Sequence, residues 1–137
     1  MRLWHYKLLS YLPDSQLVAQ KREIDLIWKK LAMGVQTNHI LINYIWEYDE
    51  YEKELYIYYK MLKKEFKERN FKFNHSKYCL SNYDYIIWYQ PFKNHHTDRY
   101  LRQCYYNLQE KYDRGQKDFG RIKYDLLKEF IYEQVKD

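Results

Sequence analysis

The sequence is poor in chain breakers, with 3 glycines and 2 prolines among 137 residues. Antiparallel sandwiches and barrels need turn residues every few positions, so this scarcity excludes both. Cysteine is equally sparse. Cys79 and Cys104 stand alone, with no CxxC pair, which leaves neither a disulfide framework nor a standard zinc ribbon. His75-x-x-x-Cys79 with His95-His96 matches no standard metal spacing, so no metal is expected. No apolar run approaches the ~20 residues of a membrane-spanning helix. The opening Met1-Arg2-Leu3-Trp4-His5-Tyr6-Lys7 has no apolar stretch of the kind an export signal carries. The expectation is a soluble cytoplasmic protein with reduced thiols and no membrane partner. A P-loop, a dinucleotide fingerprint, HExxH and G-x-S-x-G are all missing, which removes the enzyme classes they mark.

What remains is rich in Leu, Lys, Glu and Arg, the residues of helices. The length fits one domain, 1–137, with a core that needs no staples. The 18 tyrosines are unusual. A tyrosine lines a core edge or stacks on a base, and most are expected to stand in the core for Phe and Leu. The net charge of +5 suits a polyanion without naming one.

Periodicity predicts an all-α fold. Pro13-Asp14 marks the start of a first helix over about 14–32, on Leu17, Ile24, Ile27 or Trp28, and Leu31, stopped by Gly34. The run Ile40–Trp46 reads as a buried connection, a strand or part of a helix. A second, amphipathic surface helix is expected over 48–69 on Tyr48, Tyr51, Leu55, Tyr58, Leu62, Phe66 and Arg69. Residues 70–96 are irregular and include the aromatic run Trp88-Tyr89-Gln90-Pro91-Phe92. Thr97 caps a third helix over 98–113, stopped by Arg114-Gly115. A fourth is expected over 118–135 on Phe119, Ile122, Leu126, Phe130 and Val135.

Helical spacing lines up Gln16, Gln20, Glu23, Ile27 and Lys30 beside the apolar face of the first helix. Glu23 sits at that border, where partial burial raises a carboxyl pKa and suits it to proton transfer. Position alone favours a plainer role, pairing with Lys30 or Arg22. Lys60, Lys64 and Lys67 form part of a basic stretch that reads as a phosphate-tracking surface or, since Glu65 and Glu68 interrupt it, as a solvated face.

The N-terminal string tips this balance. Leu8-x-Ser10-x-Leu12-x-Asp14-x-x-Leu17-x-Ala19-x-x-Arg22-Glu23 resembles the start of the pyrimidine-dimer DNA glycosylase/AP lyases of the phage endonuclease V type. Met1-Arg2-Leu3-Trp4-His5 and Leu12-Pro13-x-x-Gln16-Leu17-x-x-Gln20-x-Arg22-Glu23 are similar to a bacterial branch of that family. His39, Asn43-Tyr44 and Leu55-Tyr56-x-Tyr58 fit its pattern. The resemblance covers about residues 1–74. It implies a compact helical fold, no cofactor and no metal, and damaged double-stranded DNA as partner to a monomer. It also implies that a free α-amine attacks the sugar C1′ to form a Schiff base. The carboxylate matching Glu23 carries protons through base loss and β-elimination. The resemblance further implies that Arg22 touches the DNA backbone.

An α-amine suits that role, because roughly a tenth of it is uncharged near neutral pH, far more than of a lysine. In the phage enzyme the reactive residue is a Thr exposed by removal of the initiator Met. With Arg2 in second place, Met1 is expected to stay and to bear the amine. Leu26 replaces a DNA-contacting Arg, and Gln16 a His. The expected site is therefore Met1 and Glu23 for catalysis, with Arg2, His5, Gln16, Arg22, Lys29, Lys30, Lys60, Lys64 and Lys67 for DNA. Two other readings stay open: a duplex-DNA-binding module without activity, and a Tyr-rich protein-interaction domain.

Overall fold

The computed structural model describes residues 1–79, 83 and 89–134. Trp88 and Val135 fall outside them. The described residues contain four α-helices, two short 3₁₀ segments and no strand, so the fold is all-α, as the periodicity predicts.

Helix α1 spans Asp14–Ala32 and buries Leu17, Gln20, Ile24, Ile27 and Trp28. Its first turn starts from the Pro13 carbonyl, which accepts from the N–H groups of Gln16 and Leu17. Asp118, about a hundred residues downstream, accepts from the N–H and hydroxyl of Ser15 (2.7 and 3.0 Å). It thus brings a negative charge to the positive end of the helix dipole. At the other end Gly34 takes a φ of +77° and its N–H bonds the Leu31 carbonyl, the left-handed stop that glycine permits.

Helix α2 spans Tyr51–Glu68 and is buried continuously from Glu54 to Tyr59. The expected surface helix is therefore, in its first half, a core helix. Tyr48 lies before it, where its hydroxyl meets the His95 ring (2.8 Å). Arg69, placed on the apolar face by its spacing, is instead a polar clamp. It donates to Glu65 and Asp14 and to the Leu9 and Ser10 carbonyls. The preceding run splits by direction: Ile42 and Ile45 point inward, whereas Ile40 and Leu41 face outward, and Asn43–Glu47 forms a 3₁₀ turn. A second 3₁₀ segment, Tyr6–Tyr11, packs against α2 and α4.

Helix α3 spans Asp98–Asp113 and starts where expected, with the Thr97 hydroxyl accepting from the Tyr100 N–H. Helix α4 spans Arg121–Gln134 rather than starting at 118. Its buried face is the expected one only in part: Phe119 is buried and Phe130 packs on the core beside Tyr11. Tyr124, Leu127 and Ile131 point inward, while Ile122 is 81% and Leu126 54% exposed. Tyr124 takes the place because α3 offers it a stack on Tyr112 and a hydrogen bond from Gln109 Nε2 (3.1 Å). A buried tyrosine needs such a partner.

One continuous cluster of buried side chains links the N-terminal segment and all four helices. Tyr58 and Tyr59 are among its fully buried members, so tyrosine does stand in the core. No helix among the described residues is long and apolar enough to cross a membrane.

Candidate active site

The first five residues form a segment without regular secondary structure, held by side chains from three helices. Gln20 of α1 accepts from the Trp4 N–H (2.8 Å) and donates to the Arg2 carbonyl (2.9 Å). Tyr58 of α2 places its hydroxyl between the Trp4 carbonyl (2.6 Å) and Gln20 Oε1 (2.9 Å). Tyr100 of α3 donates to the Leu3 carbonyl (2.5 Å). Buried backbone groups need partners, and here the partners fix the path of the segment. Leu3 and Trp4 are sunk into the core while Met1 and Arg2 stay half-exposed.

His5 completes the clamp. Its Nδ1 accepts from the Lys7 N–H (3.1 Å), which leaves the proton on Nε2 to donate to the His96 carbonyl (3.0 Å). His96 Nδ1 in turn accepts from the Tyr6 N–H (3.3 Å), and its Nε2 meets the Tyr44 hydroxyl (2.8 Å). Burial pushes the His5 pKa down to about 4 and that of His96 well below its usual value. His5 is only 1% exposed, with both ring nitrogens engaged. The expected DNA contact from His5 is therefore corrected: it anchors the segment from beneath.

So anchored, the segment delivers Met1 to a cleft of about 220 Å³. Its walls are Met1, Arg2, Trp4, Gln16, Glu23, Leu41, Asn107 and Lys111. Glu23 is half-buried and accepts from Gln20 Nε2 (3.0 Å). Burial raises its pKa, and the positive charges of the residue-1 amine and of Arg22 pull it back in part. Its plainer role, a hydrogen-bonded ion pair with Lys30 or Arg22, is not what the structure contains. Arg2 lies over the rings of Trp4 and Tyr100, each 5.9 Å from the guanidinium carbon. Gln16 reaches Gln116 (3.2 Å) at the cleft margin.

Of the remaining candidates, Arg22, Lys29 and Lys30 are exposed on α1. Lys30 shares the stripe of Glu23 two turns on, with Arg22 and Lys29 beside it. Lys60, Lys64 and Lys67 are not brought to the cleft. Tyr58 faces the N-terminal segment, and a 100° turn per residue sets these lysines on the opposite side of α2. Among the described residues, no group of His, Cys, Asp and Glu is arranged to hold a metal ion.

Sequence reasoning missed Gln20, Asn107 and Lys111 as site residues. Gln20 was visible, both on the Glu23 stripe and within the N-terminal motif. Asn107 and Lys111 had no such mark, because only the packing of α3 carries them across to residue 1.

The cleft sets one carboxylate among cationic groups on a helical frame, an arrangement suited to an enzyme that handles a polyanion. Comparison with protein families sharpens this. Residues 1–79 match the profile described as pyrimidine dimer DNA glycosylase. That is more than half of the 137 residues, and the chain belongs to this family of DNA glycosylases, which act on damaged DNA. No curated protein and no solved structure gives a match.

Proposed function

We propose that the chain removes a damaged pyrimidine from duplex DNA and then cuts the strand as an AP lyase, using the Met1 α-amine as nucleophile and Glu23 as proton carrier. One observation carries this reading: Met1 and Glu23 line the same cleft, and the charge of the residue-1 amine acts on the Glu23 carboxyl.

The uncharged amine attacks C1′ of the damaged nucleotide. The C1′–N bond to the base breaks, and the base leaves with its electron pair and takes the proton that the amine nitrogen, now bonded to C1′, sheds. Glu23, in its protonated form, gives its proton to the ring oxygen, the ring opens and an iminium joins the sugar to the amine. The carboxylate then takes a proton from C2′, the C3′–O bond breaks, and the 3′ phosphate departs. Water hydrolyses the imine and restores the amine. A carboxyl whose pKa is raised by burial serves both as acid and as base closer to neutrality than a free one. Arg2 and Lys111 hold phosphate at the cleft, and Arg22, Lys29 and Lys30 do so along α1. In this scheme the whole chain, 1–137, works as one domain and as a monomer, without metal or cofactor.

The test is scission of a duplex carrying a single cyclobutane thymine dimer. Glu23→Gln is expected to slow it about a hundredfold or more, with duplex binding retained. Unchanged scission in Glu23→Gln would remove Glu23 from the chemistry.

A further inference from the structure

The turn between α1 and the 3₁₀ segment Asn43–Glu47 carries two adjacent apolar side chains on its outer side. Ile40 is 89% exposed and Leu41 is 39% exposed, and Leu41 also forms part of the cleft wall with Met1 and Glu23. Single exposed apolar residues are common on protein surfaces. Here, however, the pair is held out by a braced turn. The Ile42 and Asn43 N–H groups both bond the His39 carbonyl (2.9 Å each), and the His39 N–H bonds Asn43 Oδ1 (2.8 Å). Asn43 Nδ2 reaches Asn38 (2.9 Å), and the Leu41 N–H reaches the His39 ring (3.2 Å). Ile42, fully buried, roots the turn in the core on one side. On the other, Trp46 Nε1 donates to the carbonyl of buried Thr37 (2.9 Å). A turn fixed at so many points keeps Ile40 in water, where a flexible one would let it fold back onto apolar surface.

We propose that Ile40 and Leu41 form a wedge that enters the base stack of the duplex beside the lesion and opens it towards the cleft. The inference rests on the reading of the cleft as a DNA-processing site. Three features support it. Branched aliphatic side chains are the type that proteins insert between base steps to unstack and kink a duplex. The wedge adjoins the wall where the sugar must arrive. Lys29 and Lys30, exposed at the end of α1, precede the turn and suit the flanking phosphates. Access to a sugar and base inside a duplex requires such opening, and a wedge that is already ordered does not have to be ordered on binding.

The test separates unstacking from chemistry. A duplex with 2-aminopurine beside a tetrahydrofuran abasic-site analogue binds but cannot form the imine. Its fluorescence is expected to rise with the wild-type protein and to stay near the free-duplex level with Ile40→Ser. Ile40→Leu, which keeps the apolar bulk, should restore the rise. Scission at a dimer should fall about tenfold in Ile40→Ser, yet stay within about twofold of wild type when the dimer lies in a mismatched, already open bubble. Ile40 is exposed, so thermal unfolding of the variants should match wild type. An equal fluorescence rise in wild type and Ile40→Ser, with scission unchanged, would overturn the wedge and leave the proposed chemistry standing. A normal rise lost in Ile40→Ser, with no scission by any form, would uphold the wedge and count against the chemistry. No binding of the lesion duplex would overturn both.

Discussion

Gln20 joins the two halves of the proposed chemistry. Its amide oxygen holds the Trp4 N–H, and its amide nitrogen serves both the Arg2 carbonyl and the Glu23 carboxylate. One side chain thus sets the distance between residue 1 and Glu23, and in reactions of this kind placement is a large part of the rate. Gln20→Ala is expected to lower kcat for dimer scission by about tenfold to a hundredfold with little change in KM. Gln20→Asn, one methylene shorter, should recover part of the loss only if the pair of contacts can re-form. Single-turnover kinetics check both variants, and a kcat unchanged in Gln20→Ala would show that the segment is placed without this residue. At this scale the sequence is a good guide to identity and a poor one to direction. Glu23 and Gln20 share a stripe that spacing reveals. His5 sits in the same motif, yet only the packing of His96 and Tyr100 against it turns the ring inward.

Elements divide in the same way. Helices α1 and α3 follow from their breakers and caps, because Pro13, Gly34, Thr97 and Gly115 act locally. The face of α4 is legible only in part, since Phe119 and Phe130 meet the core but Ile122 and Leu126 do not. It carries aliphatic and aromatic residues on more than one stripe, and aliphatic Ile122 and Leu126 outrank Tyr124 on any hydrophobic scale. The choice is made by α3, which supplies Tyr112 and Gln109 to receive the tyrosine. Helix α2 misled for a related reason, since its lysines form a basic stripe whose direction depends on Tyr58 docking against residue 4. This gives a prediction. Lys111→Ala should weaken duplex binding and lower the salt slope by about 1. Lys64→Ala should leave both nearly unchanged. Fluorescence anisotropy across a salt series reads both, and the reverse order would move the DNA path onto α2.

The molecule as a whole closes a loop between distant parts of the chain. Residues 1–5 are held by His96 and Tyr100, and α1 is capped by Asp118, so the placing of Met1 and Glu23, both within the family-matched residues 1–79, depends on His96, α3 and the turn before α4. The histidine pair makes that closure sensitive to acid. A base with a folded-state pKa below its unfolded value binds its proton more readily in the unfolded chain. Stability is therefore complete above pH 6.5 and declines as pH falls from 6.5 towards about 4. His5 alone accounts for a loss on the order of 3 kcal/mol across that window, and His96 adds to it in the same direction. Urea midpoints measured between pH 7.5 and 4.5 should fall accordingly. A flat profile would mean that the two rings titrate as free histidines.

The most direct measurement of the central claim is borohydride trapping of untagged protein on duplexes carrying a thymine dimer or an abasic site, followed by peptide mapping of the covalent adduct. The account predicts an adduct on both duplexes, carried by the amine of residue 1 and abolished by prior acetylation of that amine. An adduct mapped to a lysine such as Lys111, or no adduct on either duplex while binding persists, would contradict it.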